Sequence, residues 1–349
     1  MIRRLVVAVF AVLAFVVGSV VISTPADAVV DSAVVMPSPS GGSYDDALYS
    51  VSCVSTSWCV AVGNTNTGSA TEALIEVWDG ALWSVVPSPS AGSIDDKLRS
   101  VSCVSTSWCV AVGETETGSA TEALIEVWNG NSWSVVSLNA GVGNYYLRSV
   151  SCVSTSFCTA VGFSEDVSAT ETFVVSWNGT SWSVVASPNA GASSDQLNGV
   201  SCVSSSWCIA VGQTATGNTT LVESWNGNSW SIMASPNPEV SVLEAVSCTS
   251  SASCVAVGFL APSFTREMLV QAWDGNSWSI VANPPSVGVP SRLPSVACVS
   301  TSWCVAAGFM GYPGETLEVL LTGPEPEPTT TTTTTAASSP DQLVPAFTG

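Results

Sequence analysis

Three features of the sequence predict an all-β, six-bladed β-propeller with four strands per blade. A Cys-x5-Cys pair recurs six times, its first cysteines 50, 49, 50, 46 and 50 residues apart. Between successive pairs lie short stretches rich in Val and Trp, separated by turn residues, which is the pattern of a propeller blade. The last repeat lacks one such stretch, and the N-terminal part of the chain carries an unclaimed copy of it.

The strands are clearest in the second repeat, at 98–103, 108–113, 123–128 and 133–136. The sixth repeat supplies three of them and stops at 316–321. The orphan segment 33–39 (Ala-Val-Val-Met-Pro-Ser-Pro) matches 84–89, the fourth strand of the first repeat and the segment after it. A propeller whose last blade borrows this N-terminal strand closes without an open edge there. Residues 29–323 are therefore expected to form one propeller. Ahead of it, Arg3 and Arg4, an apolar run over 5–22 and Ala26-Asp27-Ala28 have the layout of a cleavable secretory signal, assigned to 1–28. An anchored alternative, with the signal retained, is the only route to a membrane. Behind the propeller, 324–349 is a Pro/Glu/Thr-rich tail with no material for a core, and reads as disordered.

Export accounts for the cysteines. Twelve of them in six local pairs read as six hairpin disulfides, Cys53 with Cys59, Cys103 with Cys109, Cys152 with Cys158, Cys202 with Cys208, Cys248 with Cys254, and Cys298 with Cys304. A metal role fails on spacing and on ligands, because the chain has no histidine. The same absence excludes a Ser-His-Asp or Cys-His relay. With 7 Lys+Arg against 27 Asp+Glu, a formal charge of −20, nucleic acid is excluded as a partner, since phosphate binding needs clustered cations. No cofactor is expected, and the chain reads as a monomer.

Tryptophans recur before the second cysteine (Trp58, Trp108), at the end of the third strand (Trp78, Trp128) and at the start of the fourth (Trp83, Trp133), with equivalents in later repeats. They read as packing around the disulfides at one end of each blade. The units resemble kelch-type blades over about residues 31–322, the shared places being Val112-Gly113, Trp128 and Trp133. They differ in having one glycine instead of two and a shorter hairpin between the third and fourth strands. The resemblance implies a propeller, a fold that hosts enzymes, lectins and interaction platforms alike. The copper oxidase chemistry of some kelch-like propellers is excluded in its usual form by the missing histidines.

Charge is divided between the two ends of the blades. The acids gather on the loops opposite the disulfide end, where a glutamate six residues before the third-strand tryptophan recurs as Glu72, Glu122, Glu171, Glu267 and Glu315. No compact calcium-ligand motif accompanies it, so it reads as a solvated face. The basic residues cluster instead. Lys97, Arg99, Arg148 and Arg292 flank the leucine that opens a blade's innermost strand, and Tyr49, Asn198 and Glu244 hold the place of Arg99 in other repeats. These seven residues are the candidate ligand-binding set, at one mouth of the central channel. The competing use of the arginines is ion pairing with neighbours such as Asp95 and Asp96.

Residues 50–79 and 100–129 differ only at Asn64/Glu114, Asn66/Glu116 and Asp79/Asn129. Such monotony suits a scaffold better than an asymmetric active centre. The sequence thus reads as a secreted, non-catalytic binding or interaction propeller at or near the cell surface, with an extracellular protein or glycan as partner. The alternatives are a lectin-like propeller and a sialidase-like glycan hydrolase.

Overall fold

The computed structural model describes residues 38–39, 46–89, 95–167, 169–191, 194–214, 219–261, 266–281, 291–310 and 315–322. The expected signal segment 1–28, the closing strand at 33–36 and the tail 324–349 lie outside the described residues. Those described form five four-stranded antiparallel sheets and a final three-stranded one, each built from consecutive strands. The second sheet is representative, with strands Asp96–Ser105, Trp108–Glu116, Thr121–Trp128 and Trp133–Val135.

Burial explains the composition of each strand. The second strand lies mid-sheet with neighbouring sheets over both faces, so Cys109 to Gly113 are all buried and read as an unbroken apolar run. The outermost strand is short, and its Val135 is 40% exposed, as suits a sheet edge. The core lies between sheets: Val60, Val62 and Ile75 of the first pack with Leu98, Ala111 and Leu124 of the second. Equivalent clusters fill the later junctions.

All six expected disulfides are present, each within its own hairpin. Their hairpins and the tryptophans share one transverse row. Cys103 pairs across with Cys109, Cys109 with Trp128, and Trp128 with Trp133. The indole N–H of Trp128 donates to the Thr106 carbonyl at 3.0 Å, pinning the third strand's end to the disulfide hairpin. Trp133 is 6% exposed and meets Trp128 with ring centroids 5.8 Å apart. The row recurs through the fifth sheet, so these rings are structural.

The innermost strands are edge strands too, and their outward N–H groups need partners. Serines of the preceding sheet supply them. Val150 N–H donates to Ser100 Oγ at 3.2 Å and Cys152 N–H to Ser102 Oγ at 3.0 Å. The same two rungs join the first sheet to the second and the third to the fourth. Beyond that Gly199 and Ala245 replace the first serine, and only the rungs from Cys248 to Ser201 and from Cys298 to Ser247 persist. Each rung is worth about 1 kcal/mol net. The repeated Ser-Val-Ser-Cys string thereby has a physical reason.

Among the described residues the first and last sheets do not repeat this packing. Leu48 and Val51 are 42% and 58% exposed, whereas the equivalent Leu98 and Val101 are 0% and 5%.

Candidate functional site

The site is made by one irregularity repeated in every sheet. Pairing of the first two strands of the second sheet runs from Leu98 opposite Gly113 directly to Ser100 opposite Val112, leaving Arg99 without a cross-strand partner. This is a β-bulge, which re-aims a side chain out of the sheet's alternation. Corresponding bulges release Tyr49, Arg148, Asn198 and Glu244. In the sixth sheet the skipped pair is Leu293 and Pro294. Each bulge rests on the glycine that ends the apolar run. A Cβ on Gly113 would stand 1.9 Å from the Lys97 carbonyl oxygen, and one on Gly162 1.8 Å from that of Tyr146. The repeated glycine is needed for close backbone approach, not for a special φ.

The bulge residues converge on a cavity of about 420 Å³ lined by Tyr49, Arg99, Arg148, Asn198, Glu244 and Pro294, with Gln196, Val242, Arg292, Gln213, Phe259 and Arg266 around them. Its size lies in the range of small-ligand sites. Six of the seven sequence-predicted residues are brought together here. Lys97 is not among the lining residues. It precedes the leucine and stands in register with Glu114.

The arginines are used unequally. Arg99 Nε donates to Glu114 Oε1 at 2.9 Å and Oε2 at 3.2 Å, Nη2 adds a further bond to Oε1, and the guanidinium lies 4.9 Å from the Tyr49 ring centroid. Burial pulls the Arg99 pKa down, but the hydrogen bonding and charge of Glu114, with Tyr49, together carry the net direction up. The competing ion pairing does form, but with Glu114 and not with Asp95 or Asp96. Asp95 accepts the Thr71 N–H at 2.6 Å and Asp96 the Thr115 hydroxyl at 2.6 Å, because the strand register carries Glu114 to the bulge. Arg292 Nε donates to Glu244 Oε2 at 2.7 Å. Burial raises the Glu244 carboxyl above its ordinary pKa while Arg292 opposes the rise.

Arg148 differs. It makes no hydrogen bond or ion pair among the described residues and lies over the Phe163 ring, 5.1 Å from its centroid, with Tyr146 at 6.0 Å. Burial lowers its pKa and the like charge of Arg99 adds to that, against an opposing pull from Glu114. A half-buried guanidinium stacked on rings and lacking a carboxylate is suited to receive an anion.

Sequence reasoning missed Arg266, which stacks on Phe259 at 4.6 Å, and the amides Gln196 and Gln213. The signal was variability: the residue after the repeated glycine is Asn64, Glu114, Phe163, Gln213, Phe259 or Phe309. Among the described residues no group of three or more Asp, Glu or Cys is arranged to hold a metal ion.

No protein-family model matches the chain, and no curated protein does. Solved structures do. A variant of the Aleuria aurantia lectin in complex with Fucα1-6GlcNAc aligns with a TM-score of 0.52 at 13% identity, over 79% of this chain and 91% of that one. YCF48 bound to a D1 peptide aligns with a TM-score of 0.49 at 14% identity, over 79% of this chain and 77% of that one. YCF48 from Cyanidioschyzon merolae aligns at 0.49 and 12%, over 82% of this chain and 86% of that one. With the repeated four-stranded sheets, the likeness to the lectin shows a β-propeller repeat protein. The kelch resemblance rests on its motifs alone.

Proposed function

We propose that this protein is a secreted, non-catalytic binding propeller whose axial pocket takes a carboxylate-bearing, polyhydroxylated ligand, an acidic glycan. One observation carries the reading. In a chain of net charge −20, every arginine after Arg4, namely Arg99, Arg148, Arg266 and Arg292, lines one cavity. Glu114 and Glu244 answer two of them, which leaves the pocket cationic. The unpaired Arg148 receives the carboxylate, Gln196, Asn198 and Gln213 offer donors and acceptors for hydroxyls, and Tyr49 and Phe259 supply ring faces. A glycan is also the ligand of the lectin that shares this fold.

Hydrolysis is disfavoured by the same lining. Glycosidases work with two carboxyl groups across the scissile bond, whereas among the described residues the pocket is lined by one, Glu244, held by Arg292. Secretion is supported by the six disulfides. The proposed architecture is a closed ring of six blades, completed by the strand at 33–36. Support comes from Ser38, whose hydroxyl donates to Glu76 at 2.7 Å as Ser88 does to Glu126 in the next junction. Ser38 thus stands where an ordinary interblade linker residue does, and closure would cover Leu48 and Val51.

A glycan array carrying uronic and sialic acids beside neutral sugars tests the ligand class. Binding confined to carboxylate-bearing glycans, and weakened by salt, is expected. Retention of neutral fucosides alone, or turnover of any glycoside, would overturn the reading.

A further inference from the structure

A second set of residues, remote from the ligand proposal and independent of it, has no role yet. Glu126 and Glu223 sit in the third strands of the second and fourth sheets, each 0% exposed. One oxygen of each is satisfied, Glu126 Oε1 by the Ser88 hydroxyl at 2.7 Å and Glu223 Oε2 by the Ser187 hydroxyl at 2.6 Å. The other oxygen of each is buried without a hydrogen-bond partner. Glu76 repeats the arrangement on Ser38.

The repeats themselves report what this position requires. In the six units it is Glu76, Glu126, Val175, Glu223, Gln271 and Val319, so three of six are neutral. Gln271 is the uncharged isostere of glutamic acid, also 0% exposed, and its amide donates to the Pro236 carbonyl at 2.9 Å. A second position varies in step with the first. Two residues before the innermost-strand leucine stand Asp46, Asp96 and Asp195 in the units that have Glu, but Tyr145, Ser241 and Ser291 in those that do not. A buried carboxylate beside a second carboxylate, with no cation, is the least favourable arrangement electrostatics offers. A glutamic acid beside an aspartate is not, because the aspartate's field holds the proton in place.

We propose that the glutamates at these interfaces are neutral acids in mildly acidic solution, and that they form a proton-dependent lock between blades which loosens as the pH rises to neutrality. The proton removes a buried charge, leaving each carboxyl as uncharged as Gln271. The charged group facing Glu126 is Asp96, and the one facing Glu223 is Asp195. Among the described residues no Lys or Arg acts on either. Asp195 itself accepts the backbone N–H groups of Ala190 and Gly191, which suits a carboxylate. Burial first, and the neighbouring aspartate after it, push both glutamates up to about 7, against the opposing Ser88 and Ser187 bonds. Glu76 moves in the same direction for the same first cause.

The sign follows from linkage. A carboxyl whose folded pKa lies above its unfolded one binds protons preferentially in the folded state. The stabilisation is complete below the ordinary glutamate value of 4.5 and is lost as pH rises through about 7. Overall negative charge acts in the same direction, so the wild type alone cannot separate the two.

The test is urea unfolding of the full chain between pH 5.5 and 8.5, for the wild type and for Glu126→Gln/Glu223→Gln. The wild-type unfolding constant should rise with pH, each carboxyl contributing at most about tenfold per pH unit. The double variant should lose that share of the rise and be the more stable protein at pH 8.5. An unchanged slope in the variant would assign the effect to net charge and overturn the proposal. So would a slope abolished by added calcium chloride, which would make these cation sites. If the double variant does not fold, Glu223→Gln and infrared spectroscopy decide. The wild type should show the carbonyl stretch of buried protonated carboxyls at pH 6 and lose it by pH 8.5, and its absence at pH 6 would overturn the proposal.

Discussion

Gly162→Ala is expected to abolish the native fold of the third sheet, not merely to soften it. The added methyl would lie 1.8 Å from the Tyr146 carbonyl oxygen and 3.0 Å from Leu147 Cα. Both are backbone atoms of the adjacent strand, so no side-chain rotation relieves the clash. The strand must retreat, and the bulge that aims Arg148 goes with it. Overpacking inside a well-packed core costs about 1 to 3 kcal/mol where side chains can move. With backbone on the receiving side the cost is about 3 kcal/mol or more, enough to unfold a marginal domain. Gly130→Ala is the control. Gly130 sits in an exposed turn with φ of +93°, where alanine costs about 1 kcal/mol. Urea midpoints of the two variants measure the difference. Wild-type stability in Gly162→Ala would show that the bulge is not the rigid feature described here.

The second large effect is expected at Arg148. Truncating the arginine that receives a ligand carboxylate removes a desolvated charge pair, for which losses of about 2 to 5 kcal/mol are typical. Arg148→Ala should therefore weaken binding of an acidic glycan at least about thirtyfold. It should leave stability close to wild type, because no protein carboxylate among the described residues relies on Arg148. Arg99→Ala should behave differently, since it strands Glu114, which is 6% exposed, and so costs stability as well as affinity. Titration calorimetry and urea unfolding on both variants separate the roles. Equal affinity in Arg148→Ala and wild type would remove Arg148 from the site.

Much of this was legible in the sequence because repetition makes exceptions visible. Six local cysteine pairs fixed the hairpins, and the mouth residues Tyr49, Arg99, Arg148, Asn198, Glu244 and Arg292 stood out as varied positions in a monotonous string. What stayed hidden depended on register. The bulge is an offset of one residue between two strands, which composition does not record, and the offset is what gives Arg99 to Glu114 instead of Asp95 or Asp96. Lys97 flanks the same leucine as Arg99 but stands in register with Glu114 and does not line the pocket, whereas Gln196, Val242 and Arg292, at its place in other repeats, do. Arg266 comes from the segment before a third strand and reaches the pocket only through tertiary packing. Glu126 and Glu223 looked like ordinary acids of an acidic chain until both faces of their strand proved to be covered.

The proposed pocket holds a carboxylate on Arg148. A crystal structure of the intact protein with the acidic glycan selected on the array tests it directly. The ligand is expected among the bulge residues, its carboxylate against the Arg148 guanidinium and its hydroxyls among Gln196, Asn198 and Gln213. A ligand bound between sheets or on the tryptophan end, with the axial pocket empty, would contradict it.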